Sequence, residues 1–270
     1  MAVRSALINV MAAAARKAGR GLIRDFGEVE NLQVSQKGPS DFVSTADLKA
    51  EKTIRTELEK ARPGYGFMME ESEATTGDGR HRWIVDPLDG TLNFLHGIPH
   101  FAVSIALERD GEIVAGVIYQ PLTDEEYWAE KGSGAFVSDR RLRVSGRRNM
   151  GDAVIASGIP FREYGDHPRY LRTLQAVMAQ TAGVRRFGSA ALDLAFVAAG
   201  KFDGFWEFNL KPWDIAAGLL LVREAGGYTS ELLGSGDLLK TGNVLAANDH
   251  LHLPLGALLR ASMQEGKSPR

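Results

Sequence analysis

The rhythm of the chain changes near its middle, and that change limits the fold more than any other feature. Residues 101–144 carry apolar runs cut by turn formers at Asp110-Gly111, Pro121 and Gly132-Ser133-Gly134, the pattern of an antiparallel meander. Beyond it, short apolar segments at 153–156, 184–187 and 204–208 alternate with helical patterns at 168–180, 189–199 and 213–225. Such alternation predicts a second half of α/β character. The basic segment 140–151 separates the two rhythms, and the expected division is an α+β unit with an antiparallel sheet over 1–145 and an α/β unit over 146–270. A length of 270 residues suffices for one large or two modest cores.

Ahead of the meander two helices are expected. Arg4 followed by the apolar run 6–15 has the look of a leader, but Asn9 interrupts it and Arg16, Lys17 and Arg20 follow. Ile8, Met11, Ala15 and Leu22 instead share one helical face. The second helix, 47–61, turns Leu48, Ile54 and Leu58 inward and stops at Pro63-Gly64. Strands at 66–70 and 83–85 follow.

No run approaches the ~18 uncharged apolar residues of a membrane span, so a soluble cytoplasmic protein is expected. The absence of cysteine excludes disulfides, zinc–thiolate sites and thiolate nucleophiles. With 32 basic and 34 acidic residues the net charge is −2, which gives no general attraction to nucleic acid or anionic lipid. Arg140, Arg141, Arg143, Arg147 and Arg148 form the one local basic patch. A solvated crossing is the expected reading, and contact with RNA or a transcription assembly is the competing one.

The chemistry concentrates in Trp83-Ile84-Val85-Asp86-Pro87-Leu88-Asp89-Gly90-Thr91-Leu92-Asn93-Phe94, where an apolar strand runs into two carboxylates, a glycine and a hydroxyl. Each acidic residue has a bland explanation: turn formation for Asp86 and Asp89, a capping partner of Ser44 for Asp47, solvation for Glu70-Glu71, a helix start for Asp214. Together they mark the ends of several separate elements, and a hard divalent cation needs such oxygen donors gathered from distant segments. An all-oxygen set favours Mg²⁺ over zinc or copper. Bound cations would reverse the field of an acidic pocket and admit a phosphate dianion. Thr91 could bridge an attacking water to Asp47, and the Gly90 and Thr91 amides could hold phosphate oxygens. His96 and His100 lie near the motif and are expected to be structural. Phe205, Trp206 and Phe208 are expected in the core.

This stretch, with Asp41-Phe42-Val43-Ser44-Thr45-Ala46-Asp47, Glu70-Glu71, Gly188-Ser189-Ala190-Ala191-Leu192-Asp193, Glu207 and Pro212-Trp213-Asp214-Ile215-Ala216-Ala217-Gly218, resembles the signatures of the inositol monophosphatase family, most closely its bacterial branch. The resemblance implies a five-layer α-β-α-β-α sandwich, a homodimer, hydrolysis of phosphate monoesters with two to three Mg²⁺ ions per subunit, and inhibition by Li⁺. It implies Glu70, Asp86, the Leu88 carbonyl, Asp89 and Asp214 as metal ligands. It gives Asp47 and Thr91, with Glu70, the task of activating water. It also implies that Asp89, Gly90, Thr91, Ser189, Ala190, Glu207 and Asp214 border the substrate, with Glu207 reading sugar hydroxyls. Lys37 matches the basic residue before the Asp41 segment, and an exposed lysine is its plainer reading.

Two positions depart from the family pattern. Met68-Met69 replaces a glycine-bearing approach to Glu70, and bulk there could shift that ligand; Leu88 replaces isoleucine, where only a carbonyl is recruited. The favoured substrate is myo-inositol 1-phosphate or a similar polyol phosphate. Fructose 1,6-bisphosphate, histidinol phosphate and a phosphoadenosine nucleotide are the neighbouring alternatives. No G-x-x-x-x-G-K-[ST] loop is present to support a nucleotide hydrolase.

Overall fold

The structure is a computed structural model describing residues 4–28, 34–38, 41–160 and 165–264, with the backbone course alone for 34–38 and 41–43. The chain runs α1 (Ala6–Phe26), β1 (Val34–Gly38), β2 (Asp41–Ser44), α2 (Thr45–Ala61), β3 (Gly66–Met69), β4 (His81–Asp89) and α3 (Thr91–Leu95). Strands β5 (Ala102–Arg109), β6 (Glu112–Gln120), β7 (Glu125–Glu130), β8 (Gly134–Val137) and β9 (Arg140–Arg141) form the meander. Then come β10 (Val154–Ser157), α4 (His167–Gln180), β11 (Gly183–Arg185), α5 (Ala190–Ala198), β12 (Gly204–Glu207) and α6 (Pro212–Glu224). The chain closes with β13 (Tyr228–Glu231), α7 (Leu238–Thr241), β14 (Val244–Ala247) and α8 (His252–Gln264).

Two main sheets, beside the antiparallel pair β1-β2, organise these elements. One has seven strands in the order β3-β4-β5-β6-β7-β8-β9, the other five in the order β11-β10-β12-β14-β13. Three apolar clusters then define the layers. Ile8, Met11, Leu22, Ile54 and Leu58 of α1 and α2 pack with Trp83, Val85, Val103 and Val117 on one face of the large sheet. Its other face shares a second cluster with α5, α6 and the small sheet, through Ile84, Ile118, Leu192, Leu194, Leu219 and Phe205. The far face of the small sheet is covered by α4 and α8 through Tyr170, Val177, Leu255 and Leu259. The result is the expected α-β-α-β-α sandwich. Its central cluster draws on residues from both sides of position 145.

The meander and its turns are as the sequence predicts; Asp110-Gly111 turns between β5 and β6 with both residues at positive φ, 52° and 82°, as a tight hairpin requires. Other details differ. Leu48 is 51% exposed, and Ala46, Ala50, Ile54 and Leu58 form the buried stripe of α2 instead. The large sheet is not wholly antiparallel, because β3 runs parallel to β4. The strand expected at 83–85 extends from His81 to Asp89, and Phe187 lies beyond the end of β11. The final four elements had no sequence reading. Among the described residues no helix is long and apolar enough to cross a membrane.

Candidate active site

The acidic residues meet where the two sheets approach through α6. The register between β4 and β5 shifts between Asp86 and Asp89, so Pro87 and Leu88 bulge out of the ladder, as such irregularities do beside functional sites. Asp86 then accepts a hydrogen bond from Leu88 N at 2.9 Å. On the other side, the parallel register pairs Met69 with Val85, which carries the following residue, Glu70, alongside Asp86. Met68 and Met69 pack into the apolar clusters on the two faces of the sheet, so their bulk is absorbed without removing Glu70. Ser104, the register partner of Asp86, donates to the Trp213 carbonyl at 3.2 Å. That bond holds the start of α6, and with it Asp214, against the strand.

Burial dominates the electrostatics of this cluster. It raises Asp86 well above the ordinary carboxylate range, and the charges of Glu70, Asp89 and Asp214 raise it further. Asp214 is raised in the same way, by burial and then by Asp89 and Glu70, although its carboxylate accepts from Lys211 N at 2.7 Å. Asp89 is raised to about 6 by burial, despite hydrogen bonds from Ser189 and the Ala191 amide. Asp86 is buried and Glu70, Asp89 and Asp214 are half-buried around it; four mutually repelling carboxylates so withdrawn from water are costly unless a cation or protons offset them.

Among the described residues no three such groups close into a finished metal cage. The donor set is wholly oxygen, as a hard divalent ion requires, and the Leu88 carbonyl adds a neutral oxygen beside Asp86.

Asp47 is fully buried and does two things at once. One oxygen accepts from Ser44 N at 2.9 Å and Ser44 Oγ at 2.6 Å, completing the capping box of α2. Its other oxygen accepts from Thr91 Oγ1 at 3.0 Å, a hydroxyl also 3.0 Å from the Leu88 carbonyl. Burial nevertheless leaves Asp47 above its usual range. Gly90, at φ 94°, makes the intervening turn, a conformation natural to glycine.

Glu207 ends β12 beside Gly158, where an added Cβ would fall 1.8 Å from the Glu207 carboxylate. Burial and the Asp89 charge push Glu207 up to about 8, against the opposing effects of Arg186 and the Gly158 amide. Ser189 is buried and caps α5, where Ala190 is the first helical residue. His96 is exposed. His100 is packed against Phe187 and Phe196, and its Nε2 has no hydrogen-bond partner. Lys37 lies among the residues whose side chains are not described.

Sequence reasoning passed over Ser104, Gly158 and Asn93. Asn93 carried the one available signal, an amide set between Leu92 and the apolar pair Phe94-Leu95.

Comparison with known proteins gives a consistent result. The model of the inositol monophosphatase family matches residues 4–265. The chain is 64% identical to the inositol-1-monophosphatase of Mesorhizobium japonicum, over 96% of this chain and 96% of that one. It is 44% identical to the Nus factor SuhB of Pseudomonas aeruginosa, over 90% of this chain and 91% of that one. The crystal structure of the extragenic suppressor protein suhB from Bartonella henselae superposes with a TM-score of 0.92 at 61% identity, covering 95% of this chain and 99% of that one.

Proposed function

Because the chain belongs to the inositol monophosphatase family, a family of generally metal-dependent phosphatases, we propose that it is a Mg²⁺-dependent enzyme hydrolysing myo-inositol 1-phosphate or a similar polyol monophosphate. In this reading it works in the cytoplasm as a Li⁺-sensitive homodimer. The observation that carries the proposal is the gathering of half-buried Glu70, Asp89 and Asp214 around buried Asp86, next to the Thr91–Asp47 hydrogen bond. Those four residues and the Leu88 carbonyl would hold two to three ions. Bound Mg²⁺ supplies the positive charge that makes an acidic pocket hospitable to a phosphate dianion, and it acidifies water.

The chain's own residues do the rest. Thr91 donates its hydroxyl proton to Asp47, which leaves its oxygen free to accept from the attacking water. Asp47, raised by burial, is a better proton acceptor than an exposed carboxylate, and Glu70 helps orient the same water. The Gly90 and Thr91 amides face phosphate oxygens, while Ser189 and Ala190 border the ester. Glu207 accepts or donates hydrogen bonds to polyol hydroxyls according to its protonation. Water oxygen bonds to phosphorus as the ester P–O bond breaks in line, and the departing oxygen takes a proton to become the alcohol.

A phosphate-release screen over myo-inositol 1-phosphate, fructose 1,6-bisphosphate, histidinol phosphate and a phosphoadenosine nucleotide, with and without Mg²⁺, tests this. Mg²⁺-dependent release is expected to be strongest on the inositol ester and to vanish in Asp86→Asn and Asp214→Asn variants that still fold. Release without Mg²⁺ would overturn the mechanism, and equal turnover of all four esters would overturn the substrate assignment.

A second reading rests on the exposure of Arg140, Arg141, Arg143, Arg147 and Arg148. These could contact RNA alongside catalysis. Salt-sensitive RNA association, lost on replacing Arg140 and Arg148 with phosphatase activity intact, would support it.

A further inference from the structure

Asn93 sits on α3, four residues after Asp89, and is 5% exposed. Its side-chain nitrogen faces three main-chain carbonyls, one from the loop just after α3 and two from a distant segment: His100 O at 2.8 Å, Phe187 O at 2.7 Å and Gly188 O at 3.4 Å. A carboxamide has two N–H donors, so the two short contacts are full bonds and the third is a shared one. The same three segments crowd together at Gly90, where an added Cβ would meet His100 O at 3.1 Å and Gly188 O at 3.3 Å. Asp89, meanwhile, grips the far side of the same turn by accepting from Ser189 Oγ and from Ala191 N at 2.8 Å. Two residues of one short segment therefore bracket residues 187–191, Asn93 by donating to its carbonyls and Asp89 by accepting from its donors.

We infer that Asn93 is a positioning residue for phosphate-ester hydrolysis, clamping residues 187–191 so that Asp89, Ser189 and Ala190 keep their places around metal and substrate. The inference rests on the proposed phosphatase reading for its consequence, though not for its geometry. The clamp is directional: it needs a donor aimed at carbonyl oxygens. Asn93→Asp keeps the shape and turns the donor into an acceptor facing three carbonyls, so it harms the site more than Asn93→Ala, which merely removes the bonds. A side chain that only filled space would give the opposite order, because aspartate has the size of asparagine. Asn93→Ser keeps a donor at shorter reach and falls between wild type and alanine.

The test uses the full chain and its three variants, with folding checked by circular dichroism. Hydrogen exchange in the metal-free protein is read at the amides of residues 188–191, and Mg²⁺ uptake is read by calorimetry. Phosphate release is followed against Mg²⁺ and against substrate. Protection at 188–191 is expected to fall in the order wild type, Ser, Ala, Asp. The Mg²⁺ concentration for half-maximal rate should rise by about 10-fold or more in Asn93→Ala, as for other residues that orient metal ligands. KM for the ester should rise with it, while kcat at saturation changes less.

An Asp variant milder than Ala overturns the clamp, as does unchanged protection at 188–191 in Asn93→Ala. A loss of kcat that only follows the folded fraction, with Mg²⁺ demand unaltered, overturns it too. Wild-type protein without Mg²⁺-dependent release would sink the phosphatase reading alone, and the exchange order would still decide the clamp.

Discussion

Asp47, Asp86 and Asp214 each obey a local rule and a distant one. Asp47 caps its own helix and receives Thr91 across 44 residues; Asp214 accepts from Lys211 N and faces the Asp89 charge. The bland readings and the functional ones are both present in the same side chains. The Thr91 hydroxyl likewise spans a local partner, the Leu88 carbonyl, and a distant one, Asp47. Thr91→Ala is expected to lower kcat by about 100-fold or more, the usual scale for a lost proton-transfer partner. Thr91→Ser should keep most of the rate. Both are read by phosphate release at saturating Mg²⁺. The acidic residues and Thr91 were legible by their chemistry; Asn93, though it stands in the same stretch as Thr91, and Gly158 were not, because what gives them meaning arrives from other segments.

At the scale of elements, the site is held by close backbone approaches. Gly116 on β6 faces α6, and a Cβ there would sit 2.9 Å from Ala217 Cα and 3.1 Å from its carbonyl. Gly116→Ala must therefore wedge α6, the bearer of Asp214, away from the sheet. A loss of about 1–3 kcal/mol is expected from denaturant melts, together with weaker Mg²⁺ uptake by calorimetry. The turn at Gly132-Ser133-Gly134 secures the other end of α6, since the Gly132 and Gly134 amides each donate to Glu224 at 2.8 Å. Gly158→Ala acts elsewhere, pushing Glu207 from its place beside β10. KM for polyol esters should rise while the Mg²⁺ requirement stays the same, as measured by steady-state rates. Helix and strand were readable from periodicity for α1, α2, the meander and the alternation up to α6, but not for the last four elements. The direction of β3, the bulge in β4 and the exposure of Leu48 were not readable either, because each is settled by what packs on the other side.

The whole molecule carries an acidic strain that pH should reveal. In the fold Asp89 is raised from 3.8 to about 6 and Glu207 from 4.5 to about 8, with Asp86 and Asp214 raised as well. The folded protein thus retains protons that the unfolded chain has already released. By linkage, their contribution to stability is complete below the ordinary carboxylate range and is lost as pH rises through about 6 and then about 8. Asp78 works the other way: held down to about 2 by His81 and Arg80 at the surface, it favours the fold above 3.8 and loses that effect toward about 2. Thermal melts of metal-free protein should therefore fall in midpoint from pH 5 to pH 8, the range in which Asp89 and Glu207 lose their protons in the fold. Added Mg²⁺ should restore most at the upper end, where the carboxylates are ionised and bind it best. A midpoint that climbs with pH without metal would contradict the buried cluster.

Taken alone, the order of residues determined the two opening helices, the meander and the alternation up to α6, where the rhythm changes, and which side chains could do oxygen-ligand chemistry, because helix and strand periodicity, turn residues and carboxylate chemistry are local properties. Motif resemblance extended that to a family and a layered fold. Only the tertiary structure decided that Glu70 lies beside Asp86, that Ser104 ties β5 to α6, and that Asn93 knots together three segments of chain. Those are meetings between residues far apart in sequence, created when three apolar clusters stack two sheets and their helices; no local pattern records where such a stack will bring its edges together.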